Sequence, residues 1–206
     1  MTSQTDGKAK RADATRAALI KAAERLIAHK GLAQVSTREI LQEAGQRNQS
    51  ALQYHFGSKA GLMHATISER TAQIDVRRVE LVEAWKGEPS LKEVLTALVL
   101  PLAELAETDE AGRNYVLFLS QAISQPDWDL RRAIKDYTLT GLGRTFEQYD
   151  RCLSHLPDDE RRFKQSIAYD AGVLALKRWC LREAPKQSAQ EISDLVIRTT
   201  MAILKS

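Results

Sequence analysis

The chain has 206 residues, 43% of them hydrophobic, and a formal net charge of +3. That is enough apolar material for a packed core, in one domain or in a small domain joined to a larger one, and it excludes a largely disordered chain. No apolar run approaches the roughly 18 to 20 residues that cross a bilayer, and the opening MTSQTDGKAKRADATR lacks the apolar stretch of a signal peptide. The expectation is therefore a soluble, cytoplasmic protein without a membrane partner.

The charge is spread unevenly. Residues 1–60 carry ten Lys or Arg against five Asp or Glu, while residues 61–206 carry 20 against 22. A basic first third on a near-neutral body is the layout of a polyanion-binding module carried by a separate domain. Cys152 and Cys180 have neither metal nor disulfide spacing and read as structural thiols of a reducing compartment. Nothing in the sequence asks for a cofactor or a metal.

In chain order, residues 1–11 are polar and basic, with Lys8, Lys10 and Arg11, and are expected to form a flexible arm. Leu19, Ile20, Ala23, Leu26 and Ile27 then recur at helical spacing up to Lys30 and Gly31. Ser36 with Glu39 three residues on is a capping box, predicting a second helix from Thr37 to Ala44 with Ile40, Leu41 and Ala44 inward. Gly45 permits a sharp turn, and Asn48 is the expected N-cap of a third helix reaching Phe56. Two short helices joined by a Gly turn are a helix-turn-helix candidate. Breaks at residues 87–89, 108–109, 125–127, 156–158 and 184–185 divide the rest, again into segments of helical periodicity. The fold class is all-α, with about nine helices and no convincing strand.

The third helix is unusual in its side chains. At about 100° per residue, Gln49, Ser50, Gln53 and Tyr54 fall on one arc and Ala51, Leu52 and His55 on the other. An ordinary solvated face uses Lys and Glu, which are better helix formers. Amides and hydroxyls instead suit the edges of bases, with Gln and Asn able to bond adenine N6 and N7 bidentately in a major groove.

These residues resemble the TetR family of bacterial transcription regulators. The resemblance is carried by TRAALIKAAERLIAHKGL, VSTREILQEAG and ALQYHFGSKAGLMHA, over about residues 12–70. It implies a DNA-binding domain at 12–60 and an effector-binding and dimerisation domain at 61–206. It also implies that Thr37 bonds a phosphate and that Arg38 reaches a phosphate or a guanine. Gln49, Ser50, Gln53 and Tyr54 would face bases or the adjoining backbone, with Arg47, His55 and Lys59 on phosphates. Two departures stand out: the segment after Gly45 is one residue longer than the family pattern, and Gln53 occupies the position where the family commonly carries a phosphate-binding Tyr.

Residues 115–179 hold most of the aromatics, and in the family's ligand-domain region Tyr115, Phe118, Trp128, Tyr137, Phe146 and Trp179 are the expected lining of a pocket for a small, mostly apolar effector. Phe163, Ile167, Ala171 and Leu174 on one late helix, and Ile192, Leu195 and Thr199 on the next, are the expected faces of a homodimer bound to an operator on double-stranded DNA. The resulting expectation is a repressor released from a palindromic operator by its ligand. The competing reading is an architectural or partner-regulated DNA-binding protein without small-molecule control. An enzyme is not expected: there is no nucleophile elbow, Walker sequence or paired-His zinc motif, and GLGRTF at 141–146 follows no strand and lacks the third Gly of a dinucleotide fingerprint.

Overall fold

The computed structural model describes residues 3–125, 140–182 and 187–205. Among them are nine α-helices and no strand: α1 (Ser3–Lys30), α2 (Thr37–Glu43), α3 (Ala51–Phe56), α4 (Lys59–Glu83), α5 (Leu91–Thr108), α6 (Glu110–Ala122), α7 (Thr140–Cys152), α8 (Asp158–Cys180) and α9 (Ala189–Lys205). A single 3-10 turn, Leu32–Gln34, joins α1 to α2.

The expected flexible arm is not what the structure shows, because α1 runs unbroken back to Ser3. Its first half is rich in Ala, Lys and Arg and contains no Pro, so a helix held by the buried turns around Leu19, Ala23 and Ile27 extends outward at one hydrogen bond per residue. The capping box of α2 forms as the sequence requires. Ser36 Oγ accepts the Glu39 N–H at 3.2 Å, and the Glu39 carboxylate accepts the Ser36 N–H at 2.9 Å. Gly45 turns the chain at φ 65.

The third helix is shorter than expected. Asn48 Oδ1 accepts the N–H of Ser50 at 2.9 Å and so closes a local turn instead of capping the helix. Ser50 becomes the N-cap, and Gln49 and Ser50 lie in the turn before α3.

α5 sits at the centre of the C-terminal part, packed by α4, α6, α7, α8 and α9, while α1 reaches across from α2 and α3 to α6. Capping boxes at Ser90/Glu93 and Ser188/Glu191 start α5 and α9. Both cysteines are free. The Cys180 thiol is pushed up to about 11 by burial, and Cys152 lies within 3.5 Å of the Pro89 carbonyl.

α4 is fastened at several levels. In its first half, Arg70 makes a two-pronged ion pair with the buried Glu24 of α1, at 3.1 and 3.0 Å. Burial raises the Glu24 carboxyl above its ordinary range against the opposing pull of Arg70. Arg16 pairs with Glu69 at 2.6 Å and stands 5.5 Å above the Phe56 ring. Further along, Arg77 bonds Glu104 of α5 at 3.0 and 3.2 Å.

The deepest fastening arises from Pro101, which lies inside α5. Proline has no N–H, so the carbonyl of Ala97 four residues earlier loses its helical partner. Arg78 of α4 supplies the missing donor, its Nε bonding Ala97 O at 2.9 Å. The same guanidinium pairs with Asp75 at 3.1 Å, and the Asp75 carboxylate accepts the N–H groups of Gly141 and Leu142, at 3.0 and 2.7 Å, in the first turn of α7. Both side chains are almost fully buried.

One tight contact tests the packing of α5 on α6. A Cβ on Gly112 would lie 1.8 Å from the carbonyl oxygen of Leu105, a backbone atom that cannot turn aside. Gly112→Ala is expected to destabilise the fold by about 3 kcal/mol, the upper part of the range for overpacking, seen as a lower urea midpoint at unchanged slope.

Candidate DNA-binding face and C-terminal cavity

The capped start of α2, the Gly45 turn and α3 place the predicted DNA-contacting side chains on one end of the molecule. Thr37, Arg38, Arg47, Gln49, Ser50 and Gln53 are all exposed, and Tyr54 is 79% exposed. Gln53 and Tyr54 project from α3 itself, whereas Gln49 and Ser50 project from the turn that leads into it. His55 is half-buried, edge-on to Tyr54 with ring centroids 5.0 Å apart. Beneath this face Ala51 and Leu52 are buried, with Phe56 packed against the core.

Lys59 has a different position from the one the resemblance implies. Its ammonium turns inward and donates to the carbonyls of Leu32 and Val35, at 2.6 and 2.5 Å. Burial lowers its pKa, and Glu39 opposes that shift. Two of its three donors thus tie the start of α4 to the turn between α1 and α2.

The C-terminal part holds a partly open cavity of about 580 Å³. Leu95, Leu98, Val99 and Leu102 of α5 and Val173 and Leu176 of α8 form its apolar wall, and Phe146, Tyr149 and Tyr169 supply the rings. One end is polar. Gln165 donates to Asp150 at 3.0 Å, and Arg161 bonds Asp158 at 2.7 Å. The Arg161 Nε stands 3.9 Å from Asp150, beyond hydrogen-bond reach, and is the one buried side-chain polar atom without such a partner among the described residues. Arg161 and Arg162 are matched by Asp150 and Asp170 around the lining, so the charge balances.

Of the four expected aromatics that lie among the described residues, only Phe146 lines this space. Phe118 is fully buried in the core between helices, and Trp179 is buried with its indole N–H donating to the Gln187 carbonyl at 3.1 Å. Tyr115 lines instead a separate void of about 30 Å³ beside Thr71, Arg78 and Tyr169. Its hydroxyl bonds Thr71, and burial pushes its pKa up to about 12. Trp128 and Tyr137 lie outside the described residues. What the aromatic count missed was the aliphatic wall of α5 and the polar group Asp150, Arg161 and Gln165. Helical periodicity carries a trace of them: Leu95, Leu98, Val99 and Leu102 share one stripe.

Comparisons agree with this fold. A sequence profile of the bacterial regulatory proteins of the tetR family matches residues 19–66. A second, the tetracyclin repressor-like C-terminal domain, matches residues 96–203, which is more than half of the chain. The chain belongs to the TetR family and is a helix-turn-helix, DNA-binding transcriptional regulator.

Solved structures of the same fold include a TetR-family regulator from Shewanella sp. PV-4, with a TM-score of 0.59 at 17% identity over 92% of this chain and 95% of that one. RolR in complex with resorcinol aligns with a TM-score of 0.54 at 14% identity, over 96% and 94%. A regulator from a Rhodococcus species gives 0.53 at 16% identity, over 92% and 98%. No curated protein is similar to the chain in sequence.

The capping box that places Thr37 and Arg38 is pH-sensitive. The Glu39 carboxyl is lowered from 4.5 to about 2, first by the Lys30 ammonium at 2.8 Å and then by the Ser36 N–H and hydroxyl. A carboxyl depressed by folding stabilises the fold above its unfolded pKa and loses that contribution as pH falls through the folded one. Between about pH 4.5 and 2 the urea midpoint of the native protein is therefore expected to fall more steeply than that of Glu39→Gln.

Proposed function

We propose that the protein is a homodimeric repressor that holds a near-palindromic operator and lets go when a small molecule fills the cavity. The observation that carries this reading is one unbroken helix: α4 starts at the end of the recognition segment and, in its second half, packs on α5 and α7, two walls of the cavity. Residues 12–60 would read DNA and residues 61–206 would hold ligand and partner, with α1 packed on both parts. RolR, on the same fold, was crystallised with resorcinol. A balanced set of charges beside an aliphatic wall favours an uncharged ligand with an apolar body and one hydrogen-bonding end. The cavity also sets this reading above an architectural role, which needs none.

Dimerisation is supported by an apolar stripe left uncovered in the single chain. Phe163 is 66% exposed, and Ile167, Leu174 and Leu195 lie open beside it on α8 and α9. Ile192 does not belong to this stripe, since it is buried within the subunit. Two copies joined there would present paired recognition segments at the roughly 34 Å repeat of the major groove. Release then requires the ligand to prefer the DNA-incompetent arrangement, by about 10⁴-fold for a complete switch.

The direct test starts with selection of duplexes from a random pool, which is expected to yield a two-fold site. Gln49→Ala and Gln53→Ala should each cost about 1–3 kcal/mol at particular base pairs and little at others. The neutral dye N-phenyl-1-naphthylamine should bind the native protein and bind Val99→Phe, which narrows the cavity, at least tenfold less tightly. A uniform loss across all duplexes would remove the base-reading role. Equal dye binding by Val99→Phe would remove the cavity.

A further inference from the structure

We infer that Asp75 is the positioning residue through which occupancy of the cavity reaches α4. This rests on the cavity being the effector site. α7 has two functions in the fold: Phe146, Tyr149 and Asp150 stand in the cavity wall, and its first turn is bonded to α4 through the Gly141 and Leu142 N–H groups on Asp75. An occupant that displaces α7 therefore pulls on one carboxylate in the middle of the helix that leads to the DNA-binding face.

The junction is stiff for three reasons. Asp75 is buried, so breaking either backbone bond leaves a desolvated charge short of a donor. Its counter-ion Arg78 is itself held by the carbonyl that Pro101 orphans in α5, so the pair cannot follow α7 without giving up the α5 contact. Finally, the approach leaves no slack: a Cβ on Gly141 would lie 2.9 Å from Asp75 Oδ1 and 3.0 Å from the Val79 backbone nitrogen. The cavity and the small void beneath α4 also share Leu98, Leu102 and Tyr169 in their lining. The aliphatic members of that set can slide, whereas hydrogen bonds to a buried carboxylate hold or break, which gives the discrete behaviour a switch needs.

From Lys59 to Asp75 the helix rises by about 24 Å at 1.5 Å per residue. A small tilt imposed at Asp75 is delivered at the other end, where Lys59 is bonded to the turn that leads into α2. Asp75 touches neither DNA nor the cavity, so its part is transmission.

The test compares native protein with Asp75→Asn and Gly141→Ala on a duplex recovered by selection, with N-phenyl-1-naphthylamine as the occupant. Operator affinity is read by anisotropy with and without saturating dye, and dye affinity by its own fluorescence. The expected result is that dye weakens operator binding of the native protein at least tenfold. Both variants should still bind dye and, alone, the operator, each within about threefold of native, while the effect of dye on the operator falls below twofold. A merely structural role would lower the melting temperature and leave that ratio intact. If Asp75→Asn fails to fold because Arg78 loses its counter-charge, Gly141→Ala, which retains both charged side chains, decides the matter. Release of the operator by dye in the folded variants as in the native protein overturns the role of Asp75 and leaves the cavity reading standing. Absence of dye binding, or of any dye effect on the operator in the native protein, overturns the cavity reading and the inference with it.

Discussion

The arrangement turns on a missing hydrogen bond. Pro101 deprives the Ala97 carbonyl of its donor in the middle of the most enclosed helix, and a buried carbonyl without a donor is costly. Arg78 satisfies it, but a buried guanidinium needs a counter-charge, and Asp75 one turn earlier on the same helix provides it. Asp75 still has acceptor capacity, which is used by the orphan N–H groups at the start of α7. Four local deficits, each unfavourable alone, cancel at one point, and that point fixes how α4, α5 and α7 meet.

The first half of α4 is fastened by different means. Glu24 with Arg70 and Arg16 with Glu69 tie α4 to α1, and Lys59 reaches back to the turn between α1 and α2. The recognition segment is thus carried on a framework of α1 and α4, not on a loose linker. α1 also packs on α6, so the helix-turn-helix is braced against the C-terminal part along two helices. Ion pairs suit such a joint because they fix direction, whereas aliphatic contacts between helices tolerate small shifts.

Much of this was legible in the sequence, and the parts that were not share a cause. Ser36 with Glu39, the glycine after α2 and the exposed amides around α3 are signals confined to a few neighbouring residues, and they define the helix-turn-helix directly. Where two local signals competed, reading was less secure: Asn48 can cap a helix or close a turn on Ser50, and the fold selects the turn. Counting aromatics misplaced Tyr115, Phe118 and Trp179 because a large ring fills a core as readily as it lines a hole. Phe118 and Trp179 differ from Phe146 only in what stands opposite them.

By itself, then, the sequence determined an all-helical chain with a basic, amide-bearing helix-turn-helix at its start, since capping, turn conformation and periodicity act between residues within about four positions of one another. Only the tertiary structure decided that Lys59 faces carbonyls, that Ile192 is inside and Phe163 outside, and that Asp75 binds a helix 66 residues further on. Those outcomes depend on which unsatisfied donors, acceptors and charges come together when helices distant in the chain pack. No short-range pattern encodes that pairing, because each partner's need is met only by the geometry of the whole.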